Sequence, residues 1–229
     1  MKTGVTKDRQ LPLDLQYRPA LEREVFLVAP GNATAIGWID RWPDWPAPAL
    51  VLEGPRGSGK THLASVWRAR SGAWVVEGAS LSPSQVPVLV ADAAAVGVVE
   101  GAEYAPDEPL LHLYNAVAER GGQLLLTAAS APAQWATALP DLRSRLRALP
   151  VASLAMPDDL LFKAVLTKLF ADRRLNIGTD VIDFLTVRLE RSFEAAGGIV
   201  AALDRAAFAE RRRITVPFVR AVLMAAAGG

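Results

Sequence analysis

The sequence predicts an α/β fold: a parallel sheet with helices on both faces, followed by a small all-helical unit. Three observations carry this expectation. Short apolar runs alternate with helical patterns through roughly the first two-thirds of the chain, as in a parallel sheet covered on both sides. Gly54-Pro55-Arg56-Gly57-Ser58-Gly59-Lys60-Thr61 fits G-x-x-x-x-G-K-[ST] at every fixed position, a motif that needs a strand before it and a helix after it. From Pro157 onward the apolar residues keep helical spacing: Leu161, Val165, Leu166 and Leu169, then Val181, Leu185 and Leu189, then Ile199, Leu203 and Phe208.

The elements follow in order. Residues 1–9 are polar and read as a tail. An isolated apolar cluster, Gln10-Leu11-Pro12-Leu13-Asp14-Leu15, comes next. Residues 33–42 look helical and stop at the prolines 43, 46 and 48. Residues 49–53 form the first core strand, then come the glycine-rich loop and a helix to about Arg70. Residues 73–77 and 86–91 read as the second and third strands, 107–120 as a helix and 123–127 as a further buried strand. A last short helix spans 216–224, with Pro217 near its start, where proline is tolerated. The expected division is an N-terminal segment 1–18, an α/β domain 19–156 and a helical domain 157–229.

Composition bounds the function. The chain has 229 residues, 51% of them hydrophobic, so it can bury an ordinary core. Its net charge of +1 gives no global pull toward nucleic acid. There is no cysteine, which excludes disulfides and thiolate metal sites. His62 and His112 stand far apart in sequence, so a histidine metal site is not expected. No apolar run has transmembrane length and no signal pattern opens the chain, so a cytoplasmic protein without a membrane partner is expected.

The glycine-rich loop carries the clearest chemistry. Its backbone N–H groups can curl around phosphate oxygens at a helix N-terminus, Lys60 can reach the β- and γ-phosphates, and the Thr61 hydroxyl can ligate magnesium. Val88-Leu89-Val90-Ala91-Asp92 reads as an apolar strand ending in an acid. Asp92 would then hold Mg2+ through water, or else simply end a strand. Ala93, Ala94 and Ala95 follow it, and none of them can polarise a water. Thr127 ends the strand whose tip should approach the γ-phosphate. Arg145, in Leu142-Arg143-Ser144-Arg145-Leu146, suits either a transition-state contact to a neighbouring molecule's nucleotide or a solvated helix end. Gln10 to Leu15 suits an extended peptide docking into a partner's apolar pockets, or an arm packed on the chain's own body. The run Arg211-Arg212-Arg213 reads as a helix C-terminal cap.

Together these pieces resemble the AAA+ ATPases of the DnaA clade and, within it, the family of DnaA regulatory inactivators. The resemblance rests on Phe26-Leu27-Val28 with Gly31 and Asn32, on Gly54–Thr61 with His62 and Leu63, and on Leu110–Asn115. Leu142–Leu146, Leu203-Asp204-Arg205-Ala206 and Thr215–Val219 extend it along nearly the whole chain. It implies a P-loop AAA+ core with a five-stranded parallel sheet and a helical lid. ADP or ATP, with Mg2+, would sit against Val28, Asn32, Pro55, Arg56, Gly57, Ser58, Gly59, Lys60, Thr61 and His62. Arg145 falls on the arginine-finger position, and QLPLDL resembles the motif that binds the β sliding clamp through Gln10, Leu11, Leu13 and Leu15. The implied partners are therefore DnaA and the clamp, and the implied role is to promote ATP hydrolysis by DnaA. Ala93, Ala129 and Glu194 stand where the clade assists hydrolysis, which implies weak turnover by the chain itself. A homodimer and direct DNA contact stay open on the sequence alone.

Overall fold

In the computed structural model, residues 17–18, 26–91 and 95–227 are described. The body is a five-stranded sheet of β3 (Ala49–Glu53), β4 (Trp74–Glu77), β5 (Val96–Glu100), β6 (Gln123–Ala128) and β7 (Val151–Ser153) in the order β4-β5-β6-β3-β7. All four neighbouring pairs are parallel. Two short strands, β1 (Tyr17–Arg18) and β2 (Phe26–Leu27), pair antiparallel beside it.

The near-continuous apolar strands are explained by burial on both faces. Along β3, Ala49 and Val51 point into one core, and Leu50 and Leu52 into the other. Along β6, Leu124 and Leu126 join the first core and Leu125 the second. The second face is covered by α1 (Ala33–Asp40) and α2 (Lys60–Ser71), through Ile36, Ile39, Leu63 and Trp67. The first is covered by α4 (Asp107–Glu119) and α5 (Pro140–Arg147), through Leu110, Leu113, Val117, Leu142 and Leu146, with the single-turn α3 (Val86–Leu89) beside them. Each such side chain, fully withdrawn from water, contributes about 1.5–3 kcal/mol. Under α2 the Trp45 ring stacks on Trp67 at 5.3 Å, and Trp42 meets the same ring edge-on at 6.0 Å.

The expected strand at 86–91 is corrected. Val86–Leu89 is helical, and the strand lies nine to ten residues later, at Val96–Glu100. Pro87 explains the difference: it has no N–H for a central ladder, yet it fits the first turn of a helix. Asp92 and Ala93 lie outside the described residues, as does Gln10–Leu15. Ala95 is not a post-strand residue at all. It precedes β5, and its carbonyl accepts the Gln123 N–H at 3.0 Å. The strand end that Ala93–Ala95 were expected to follow carries Glu100, Gly101, Ala102 and Glu103 instead.

Beyond the sheet come α6 (Asp159–Asp172), α7 (Thr179–Arg188), α8 (Phe193–Glu210) and α9 (Val216–Ala227). Phe162, Phe170, Leu185, Leu203 and Phe218 form their shared core. Asp158 caps α6 and Ser192 caps α8, each accepting an N–H three residues on. Among the described residues, no helix is long and apolar enough to cross a membrane.

Candidate functional site

A cleft of about 1060 Å³ opens where the C-terminal ends of β3, β5 and β6 face the helical unit. In open parallel sheets this is where ligands bind. The loop after β3 forms its floor. Gly54 has φ +155, and a Cβ there would sit 2.3 Å from the Leu154 carbonyl oxygen, so only glycine allows the loop to leave the strand this way. Gly59, with φ +97, turns the chain into α2 and presents the helix N-terminus to the cleft.

Arg56, Gly57, Gly59, Lys60, Thr61 and His62 line the cleft, whereas Val28, Asn32, Pro55 and Ser58 are not among its lining residues. Asn32 is buried and committed to the backbone. Its Oδ1 accepts the Ala29 N–H at 2.8 Å and its Nδ2 donates to the Leu27 carbonyl at 2.9 Å. It thus shapes the segment that brings Leu27 to the cleft wall. Lys60 donates to the Gly54 and Pro55 carbonyls at 2.6 and 2.9 Å. Burial pushes its pKa down, and the charge of Glu103 pulls it back up.

The far wall is built from β5 and β6. Thr127 is buried at the end of β6, and its Oγ1 accepts the Gly101 N–H at 3.3 Å, tying the two strand ends together. Glu103, in the turn after β5, accepts the Ala129 N–H through Oε1 at 2.6 Å. Its Oε2 is buried and has no hydrogen-bond partner. Both Glu103 and Ala129 line the cleft. Sequence reasoning missed Glu103, because the strand before it was placed too early. The available signal was the proline at 87, followed beyond Asp92 by a run from Ala93 to Val99 without a polar side chain that ends in acid at 100.

The helical unit closes the cleft through the start of α8. The Phe193 N–H donates to the Gly57 carbonyl at 3.0 Å. A Cβ on Gly57 would lie 2.4 Å from the Ser192 Cβ, and one on Gly59 3.1 Å from the Phe193 ring. Arg56 grips both oxygens of Glu194, at 3.1 and 3.4 Å. This fork holds the Glu194 carboxyl below its usual range. Glu194, expected to be a lost lid arginine, thus stands opposite an arginine carried by the loop. Both partners are exposed, so the pair itself contributes little to stability.

Arg145 lies on α5, outside the cleft. Asp107 fixes the entry to that helix by accepting the Ala138 and Leu139 N–H groups at 2.6 and 3.0 Å. The Arg145 Nε donates to Asp141 at 3.0 Å, and its guanidinium lies 5.8 Å from the centre of the Tyr114 ring. The side chain keeps 41% of its surface in solvent. Burial raises the Tyr114 pKa, and Arg145 counteracts that rise.

Among the described residues, no group of three or more acidic or histidine side chains could hold a metal alone. A magnesium ion here would share its ligands with nucleotide phosphates, the usual arrangement for that ion. The orphaned Glu103 oxygen and the exposed Thr61 at the start of α2 fit such a site.

Comparison with known proteins fits this architecture. Residues 162–223 match the model of the Hda lid domain. Over 198 residues the chain is 28% identical to an uncharacterized protein of Haemophilus influenzae, covering 79% of this chain and 83% of that one. Domain III of the Thermotoga maritima replication initiation protein DnaA superposes with a TM-score of 0.71 at 17% identity, covering 87% of this chain and 93% of that one. A replication initiator DnaA bound to AMPPCP and single-stranded DNA gives 0.65 at 14% identity, over 82% of this chain and 66% of that one. The Thermotoga maritima RuvB Holliday junction branch migration motor gives 0.65 at 16% identity, over 78% and 61%. The chain therefore spans just under two-thirds of the length of the last two. The chain shares its fold with DnaA domain III, a five-stranded parallel sheet between helices followed by a helical unit, and that unit carries the match to the Hda lid model.

Proposed function

We propose that this Hda-like AAA+ protein regulates chromosomal replication initiation, binding an adenine nucleotide in its cleft and offering Arg145 to ATP held by DnaA. The placement of Arg145 carries the reading. The residue sits on α5, outside its own chain's cleft, with 41% of its side chain in solvent, its Nε held by Asp141 and its guanidinium beside the Tyr114 ring. An arginine inserted in trans stabilises the charge that spreads over the γ-phosphoryl oxygens in the transition state. Such a finger is worth on the order of a thousand-fold or more in rate.

The cleft supplies the other half. Loop amides and the α2 N-terminus would cradle the phosphates, and Lys60 would exchange its carbonyl partners for phosphate oxygens. Leu27, Val165, Leu169 and Phe193 provide apolar wall for a base. Mg2+, held with Thr61 and a carboxylate of the sheet edge, would neutralise phosphate charge. The likeness to DnaA bound to AMPPCP supports an adenine nucleotide, and the match to the Hda lid supports a regulatory role. Docking to the β sliding clamp through Gln10, Leu11, Leu13 and Leu15 belongs to the same reading.

The test is hydrolysis of DnaA-bound ATP in the presence of DNA-loaded clamp. Arg145→Ala is expected to abolish stimulation while clamp binding persists. Stimulation retained by Arg145→Ala refutes the role of that residue.

A further inference from the structure

Two arginines from different helices of the lid converge on one aromatic ring. Arg188, at the end of α7, has its guanidinium 3.7 Å from the centre of the Phe184 ring, and Arg220, on α9, has its guanidinium 5.7 Å from the same centre. Phe184 is half-buried against the lid core, while both arginines are exposed. The Arg188 Nη1 donates to the Phe184 carbonyl at 3.5 Å. Among the described residues, Arg220 makes no hydrogen bond and neither arginine forms an ion pair.

The acids that flank Arg188 along the chain are engaged elsewhere. Asp183 holds Lys163 at 2.6 Å, and the charge of Glu190 acts on Arg56 in the phosphate loop. From Arg211 to Gly229 the sequence has four arginines and no acidic residue. Of these, Arg212 is tied to Glu210 at 3.1 Å, and Arg220 has no such tether. Two cations gathered on one ring repel each other, and the attraction of an exposed ring for a cation is modest. An anion brought from outside removes that conflict. Neither arginine lines the nucleotide cleft, so the anion meets an open surface. A guanidinium stacked on a ring keeps its N–H edge free, the edge that grips a phosphate bidentately. The Phe184 ring is itself taken by the guanidiniums and is not offered for base stacking, which single-strand binders rely on.

We infer that Arg188 and Arg220, held on Phe184, bind the phosphodiester backbone of duplex DNA without reading its sequence. Duplex DNA carries one negative charge per about 1.7 Å of axis, so it supplies an anion to each arginine along one continuous edge. The contact lies on the lid and needs neither a nucleotide in the cleft nor Arg145. A net charge of +1 for the chain is no obstacle, because the attraction is set by the local charge.

Fluorescence anisotropy of a short labelled duplex of arbitrary sequence, titrated with the full chain at several salt concentrations, tests this. Each phosphate contact contributes about 0.9 to the slope of log K against log salt. The double variant Arg188→Gln with Arg220→Gln should therefore flatten the wild-type slope by about 1.8. Wild type should then lose roughly tenfold more affinity than that variant between about 50 and 200 mM salt. Each single variant should remove about half of the slope change. Arg41→Gln removes another stacked arginine, 5.1 Å from the centre of the Trp38 ring and outside the lid, and should bind as wild type does. A wild-type chain that does not bind the duplex, an unchanged slope in the double variant, or an equal loss in Arg41→Gln overturns the inference. Polyglutamate that displaces the duplex at equal charge would make this a site for an acidic protein instead. Tighter binding of a single strand than of the duplex would make it a base-stacking site, and either result overturns the inference. With wild-type protein alone, a duplex carrying uncharged methylphosphonate linkages should fail to bind, and undiminished binding refutes the phosphate contact.

Discussion

Gly57→Ala is expected to injure the contact between the loop and the lid in two separable ways. Gly57 has φ +81, so a side chain there meets left-handed backbone strain of about 1–2 kcal/mol. Its Cβ would also lie 2.4 Å from the Ser192 Cβ, well inside van der Waals contact, and relieving such overpacking costs about 1–3 kcal/mol. The sum is about 2–5 kcal/mol, which moves a urea midpoint by roughly 1–2 M at a slope of about 2.5 kcal/mol/M. Ser192→Gly removes the obstructing carbon. By itself it gives up the hydroxyl that accepts the Ala195 N–H at 3.0 Å, and glycine at such a cap costs only a few tenths of a kcal/mol, on the order of 0.3. The double variant should therefore recover the steric part and keep the backbone part, a coupling of about 1–3 kcal/mol. Urea unfolding followed by helical ellipticity measures all four corners of the cycle. Additive effects would refute the claim that the start of α8 rests on the phosphate loop.

Two further predictions concern charge. In Arg56→Ala the Glu194 carboxyl should titrate at its ordinary value, whereas in wild type it titrates lower, because the Arg56 fork holds it down. A folded pKa below the unfolded one means that the pair acts above the ordinary glutamate range and fades as pH falls through the lowered value. Carboxyl-carbon NMR titration of both proteins checks this, and identical curves would contradict the pairing. Glu100 behaves in the opposite sense, since burial first and Glu77 second raise its pKa. Any stability it contributes is present below the ordinary glutamate range and is lost as pH rises through the raised value. Glu100→Gln should thus raise the urea midpoint slightly at neutral pH, and the gain should vanish near pH about 4.

The most local features were the most legible. Gly54–Thr61 carries its conformation and its chemistry within eight consecutive residues, so no distant contact could change its meaning. The two-faced strands at 49–53 and 123–128 were also readable, because a run buried on both sides is apolar throughout. Val86–Leu89 and Val96–Glu100 look alike by composition, and only Pro87 distinguishes helix from strand. That misplacement put the expected strand end at Asp92 and hid Glu103, which follows the end of β5. Val151–Ser153 offers a single inward residue, Ala152, which is too short a pattern to register as a strand. The docking of Ser192, Phe193 and Glu194 on the loop joins positions about 135 residues apart, and nothing in their local sequence announces it.

The tryptophans have an optical consequence. All six, at positions 38, 42, 45, 67, 74 and 135, belong to the sheet and its covering helices, and the lid has none. Trp67 sits on the helix that begins at Lys60 and is stacked against Trp45. Intrinsic emission is therefore a reporter of the sheet half alone, with Trp67 on the helix that follows the glycine-rich loop. A lid that loosens or melts first would leave that emission unchanged while ellipticity fell. The gap between the two signals gives a label-free measure of lid order in the native chain.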